Sequence, residues 1–127
     1  MTMLARRTPD SVYRRVEFDA RVGGADPMEL VGLCYEHCVA ALGSALFAHE
    51  RQDNAAKSQA LTRAVSALTA LQLGVNGTEG VAAALLQFYH AAKSAVLDSV
   101  LAFDAERIRE VRADILEIAS ALHGART

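Results

Sequence analysis

The chain has 127 residues, 52% hydrophobic and 22% charged, with a formal net charge of −2. That is one domain's length, too apolar for a disordered chain, and thirteen basic against fifteen acidic residues supply no field to draw nucleic acid. With 25 Ala against 8 Gly, 2 Pro and no Trp, it is rich in the best helix former and poor in helix breakers, so an all-α domain is expected.

Residues 1–25 scatter their apolar side chains (Leu4, Val12, Tyr13, Val16, Phe18, Val22) without a sustained helical period, and Gly23-Gly24 closes the stretch. They are expected to form an N-terminal strap, with a bundle domain over 26–124. Arg6, Arg7, Arg14, Arg15 and Arg21 alternate with Asp10, Glu17, Asp19 and Asp26. That is a mixed solvated segment rather than a basic arm. Met1 to Asp10 has no apolar core of the kind a secretory signal carries. With only two cysteines, a reducing cytoplasm is expected.

Asp26-Pro27-Met28-Glu29 is the strongest start signal: Asp26 as N-cap, Pro27 at the first helical position and Glu29 at the third. The first helix should run from Pro27 to about Arg51. It is apolar almost all round. Leu30, Cys34, His37, Ala41, Ala45 and Ala48 lie on one side, and Val31, Tyr35, Cys38, Leu42 and Leu46 on a second. Leu33 and Phe47 lie on a third. Leu30 to Ala48 would just span a bilayer, but Glu36 near the middle costs about 2.5–3.5 kcal/mol there. A helix covered on most sides inside a bundle is the reading, with no membrane insertion.

Asp53 should cap a second helix running to about Leu73, with Leu61, Ala64, Val65, Leu68 and Leu71 inward and Lys57, Gln59 and Arg63 toward water. Gly74, Asn76 and Gly77 make a loop. Thr78 should cap a third helix from Glu79 to about Ala102, with Leu85, Phe88, Tyr89, Ala92, Val96 and Phe103 inward. Asp104 should cap a fourth from Ala105 to about His123, with Ile108, Val111, Ile115, Ile118 and Leu122 inward, ended by Gly124. Short connections force consecutive helices to lie antiparallel. The expected fold is an antiparallel up-down-up-down four-helix bundle with an N-terminal strap.

Nothing in the sequence poses catalytic chemistry. Cys34-x-x-His37-Cys38 offers three metal-type side chains on one helix but no fourth ligand of suitable geometry. The cysteines read as small buried apolar residues and His37 as a core or boundary histidine. No Glu is followed three residues later by His, as di-iron bundles require. Gly74-Val75-Asn76-Gly77 follows a helix and reads as a turn, not a phosphate loop. No catalytic residue, metal site or cofactor is expected.

What remains is surplus apolar surface. Leu86, Leu97 and Leu101 form a second stripe beside the inward line of the third helix, interrupted by His90 and Lys93. Leu73 and Leu116 are off the inward lines of their helices. A wide core could absorb them; the functional reading is a groove for a partner's amphipathic helix.

Three motifs in order resemble a known family. Tyr13-x-x-Val16 followed by Ala25-Asp26-Pro27-x-x-Leu30-Val31-x-Leu33-x-Tyr35-Glu36 is similar to the opening of the FliS-type flagellin export chaperones. Asp53-x-x-Ala56-Lys57-x-x-Ala60-Leu61-x-Arg63-Ala64 resembles their second helix, and Val81-Ala82-x-x-Leu85-x-x-Phe88-Tyr89 their third. The resemblance runs nearly ungapped from Tyr13 to about Leu122. Departures at Asp10, Glu36-His37, Thr78-Glu79-Gly80, Ala84 and Ala91 mark a divergent member.

The resemblance implies a cytoplasmic, non-enzymatic bundle that binds the C-terminal segment of flagellin, prevents its early polymerisation and helps deliver it to the export gate of the flagellar apparatus. Tyr13 takes the position of the strap tyrosine implicated in gate docking, with Val16 beside it; the alternative is that both fasten the strap to the bundle. Candidate flagellin-binding residues are Leu61, Leu68 and Leu71 with Leu86, Tyr89 and Leu97. Leu61, Leu68 and Tyr89 also lie on the inward line, where core is the alternative role. The alternative functions are a helical adaptor for another flagellar or secreted protein, and a structural homodimer whose groove closes on a second copy.

Overall fold

The computed structural model describes residues 27–126, which form four helices and no strand: α1 (Pro27–Glu50), α2 (Asn54–Leu73), α3 (Val81–Leu101) and α4 (Ala105–Arg126). Two compact units divide the chain, Met1–Leu30 and Val31–Thr127. Of the first only the opening turn of α1 is described. The strap expected over 1–25, with Tyr13 and Val16, and the Asp26 cap lie outside the described residues.

Contacts between distant residues establish the topology. Cys38 and His49 of α1 meet Ala64 and Lys57 of α2, so these helices run antiparallel. Tyr35 and His49 meet Tyr89 and Phe103, so α3 runs parallel to α1. Gln72 meets Lys93, and Lys57 meets Phe103, so α2 and α3 are antiparallel. From α4, Arg112 Nε donates to the Val39 carbonyl at 3.1 Å. The guanidinium lies across Gly43, where a Cβ would meet Nε at 3.4 Å. The arrangement is the expected up-down-up-down four-helix bundle.

The inward lines follow the 3.6-residue period. Cys34, Tyr35, Cys38, Ala41, Leu42, Ala45 and Ala48 of α1 are buried. They meet Leu61, Ala64, Leu68 and Leu71 of α2, Tyr89, Ala92 and Val96 of α3, and Ile108, Val111 and Ile115 of α4 in one interior. α1 is long and apolar enough to cross a membrane, but it is covered on fewer sides than expected: it is buried along one arc, while Leu30, Val31 and Leu46 are half-buried and Phe47 is exposed. Glu36 and His37 face outward. His37 is exposed and so is not the core or boundary histidine expected, although Cys34, Ala41, Ala45 and Ala48 on the same side are buried.

Several expected core residues are only half-buried: Leu85, Phe88, Ile118 and Leu122. These four lie at the bundle end where α3 begins and α4 finishes; Val65 and Phe103, also expected inward, are half-buried away from that end. Lys57 differs in the other direction. It does not simply face water: its Nζ donates to His49 Nδ1 at 3.2 Å and lies 4.8 Å from the Phe103 ring centroid. His49 stacks on the same ring at 4.3 Å.

Local chemistry sets the turns. Asp53 Oδ1 accepts from Ala56 N and Asp104 Oδ1 from Arg107 N, each at 3.1 Å, so both acidic N-caps form as expected. The α3 start differs. Thr78 does not cap it; Gly80 is the N-cap, at φ 60 and ψ −128, without a side-chain bond. Only glycine takes that conformation cheaply, and it turns the loop into α3 two residues later than expected. Gly124 does not end α4, which continues to Arg126. One glycine costs a helix about 1 kcal/mol, which is a penalty and not a stop.

The α1–α2 turn is a Schellman motif. Asp53 N bonds Ala48 O and Gln52 N bonds His49 O, with Gln52 at φ 56. Glycine is the usual residue in that left-handed position. Gln52→Gly should therefore raise stability by about 0.5–1 kcal/mol in urea unfolding. A loss of stability would show that the glutamine side chain holds the turn.

Cys34 and Cys38 are buried and unbridged, as expected of small apolar residues. Burial raises both thiols, Cys38 to about 12 from an ordinary 9. The unfolded thiols ionise near pH 9 while the folded ones keep their protons, so the unfolded state binds fewer protons there. Stability should hold up to about pH 8.5 and fall above pH 9. Denaturant titrations across that range test this, and Cys38→Ala should flatten the decline.

Candidate partner-binding face

On α3, Val100, Lys93, Leu86, Leu97, His90 and Leu101 fall, in that order, within an arc of about 100° beside the buried line. From Leu86 to Leu101 the row extends about 22 Å along the helix. Leu86 is half-buried. Leu97 and Val100 are each 48% exposed and Leu101 is 94% exposed. Such a row is exposed apolar surface on a bundle that has closed its own core.

The row borders α2, the helix on which α3 packs most extensively. Lys93 Nζ donates to Gln72 Oε1 at 3.0 Å across the seam. The side of α2 that presents Gln72 also carries half-buried Val65 and Thr69. The Thr69 hydroxyl donates to the Val65 carbonyl at 2.9 Å, which removes a polar claim on that side. The seam thus joins the half-buried Val65 and Leu86 with the Lys93–Gln72 hydrogen bond that crosses it. Other exposed apolar residues lie elsewhere: Leu73 and Val81 flank the α2–α3 loop, Leu116 is on α4, and Phe47 on α1 lies under the Arg51 guanidinium at 5.3 Å.

The six candidate residues divide sharply. Leu61, Leu68, Leu71 and Tyr89 are buried, at 4% exposure or less. Their side chains complete the interior, so in the closed bundle a partner cannot touch them. Leu86 and Leu97 are the two that reach the surface. Val100 belongs with them and was missed in the sequence. Its signal was present, since it lies three residues after Leu97 and one before Leu101 on the same arc.

Beneath the face, the Tyr35 and Tyr89 hydroxyls are hydrogen-bonded between α1 and α3. Their rings are 6.3 Å apart, and Phe88 meets Tyr89 edge-on at 5.9 Å. Burial raises both phenols above the ordinary tyrosine value, Tyr35 the more strongly, so both stay neutral. Among the described residues no group of three His, Cys, Asp or Glu side chains could hold a metal ion.

An all-α bundle with a filled, hydrogen-bonded interior and an apolar row along one helix has the form of a helical binding protein. The model of the family described as flagellar protein FliS matches residues 10–127, and the chain belongs to that family of flagellar export chaperones. No curated protein sequence matches it.

Proposed function

We propose that the protein is a cytoplasmic chaperone that holds the C-terminal helical segment of flagellin on the α2–α3 face, keeps it from polymerising early and helps deliver it to the export gate. The observation that carries this reading is the exposed row Leu97, Val100 and Leu101 continuing from Leu86. Leu61, Leu68, Leu71 and Tyr89 serve as the packed layer beneath it. Helix-in-groove recognition needs such a row at helical spacing, and a client segment that is unstructured alone gains its apolar partner there. Residues 1–25 would be a strap outside the bundle domain of 26–124, with Tyr13 and Val16 as the export-gate contact.

Calorimetric titration of the full chain with the C-terminal ~40 residues of its flagellin tests this. Saturable one-to-one binding with a negative heat-capacity change is expected. Leu97→Asp and Val100→Asp should each weaken it about tenfold or more while leaving the unfolding midpoint nearly unchanged. No binding at tens of micromolar by a folded, helical protein would sink flagellin as the client.

A further inference from the structure

Lys93 stands in the middle of the apolar row. It is seven residues after Leu86, four before Leu97 and seven before Val100, so all four lie along one ridge of α3. It is half-buried, and its ammonium donates to the neutral Gln72 amide. No carboxylate is near it in sequence or on the wheel. α2 contains no Asp or Glu, and the single acidic residue of α3, Asp98, lies about 140° round the helix from Lys93. Among the described residues Lys93 makes no ion pair.

An ammonium has three N–H donors, and Gln72 takes one. The others rely on water. A helix laid over Leu86, Leu97 and Val100 would strip that water away. An uncompensated charge under an apolar partner is costly, whereas a carboxylate there answers both the charge and the open donors. We infer that the segment bound on this face is an amphipathic helix that brings an Asp or Glu, set within its own apolar stripe, onto Lys93. This rests on the flagellin reading and adds what the occupant must carry. The same lysine would act against a purely apolar helix, which could not satisfy it, and so would contribute selectivity.

The test uses the full chain and the C-terminal ~40 residues of its flagellin, with Lys93→Met, Lys93→Glu, and peptides in which each Asp or Glu in turn becomes Lys. Methionine keeps the apolar stem and removes the charge. Binding should weaken about fivefold in Lys93→Met and about thirtyfold or more in Lys93→Glu. Both variants should keep wild-type helicity and unfolding midpoint. One charge-exchanged peptide should restore the affinity of Lys93→Glu to near wild type. Wild-type affinity in both variants, or weakening that no exchanged peptide restores, overturns the inference while leaving flagellin as the client. If the wild-type chain binds no peptide, the flagellin reading falls and this inference with it. A dimer of the free chain that Lys93→Glu dissociates, at unchanged peptide affinity, would assign the face to a second copy and likewise overturn it.

Discussion

Leu68→Ala should cost about 3–5 kcal/mol of folding stability, measured by urea unfolding followed through helical circular dichroism. Leu68 is fully buried in α2, on the same inward line as Leu61, Ala64 and Leu71. Truncation there removes buried carbons and leaves a cavity between helices that cannot collapse into it. A domain of this size is stable by about 5–15 kcal/mol, so one such change takes a large part of the whole. Leu97→Ala is the control. With half its surface already in water, it should cost below about 1 kcal/mol. Equal losses at the two positions would put Leu97 in the core and remove it from the binding face.

The second large effect belongs to the buried tyrosine pair. Tyr35→Phe or Tyr89→Phe leaves the surviving hydroxyl without the partner it has now, at about 1–3 kcal/mol for each single change. Changing both removes both hydroxyls and leaves two phenylalanines in an apolar interior, so the double variant should lose clearly less than the sum. Strict additivity in that cycle would mean that the two hydroxyls do not support each other. The pair also adds to the alkaline weakening begun by the cysteines. Both phenols have raised folded values, so the unfolded state loses its protons first as the pH passes about 10, and stability falls further. The double phenylalanine variant should lose that second step and keep the first.

Much of the fold could be read locally. Asp53 and Asp104 announced the starts of α2 and α4 because a short acidic side chain accepts from free N–H groups within its own turn. The start of α3 was misread because Thr78 had the right chemistry but the wrong backbone, and Gly80 supplied the turn. The candidate site was legible only in part. Leu61, Leu68, Leu71, Tyr89, Leu86 and Leu97 all recur at helical spacing, and spacing alone does not separate a side chain covered by a neighbouring helix from one left bare.

From its amino acids alone, this protein is all-α, with four helices and short connections over the described residues, apolar along predictable lines, and similar to one family along most of its length. Those properties depend on interactions within a few turns of chain, which adjacent residues specify. The tertiary structure decided which leucines became core and which remained surface. It brought the Tyr35 and Tyr89 hydroxyls together across 54 positions and set Lys57 against the stacked His49 and Phe103 rings. It also put Lys93 opposite a neutral amide rather than a carboxylate. Each of these depends on where a distant helix lies, and burial and pairing are properties of two surfaces in contact rather than of either sequence segment alone.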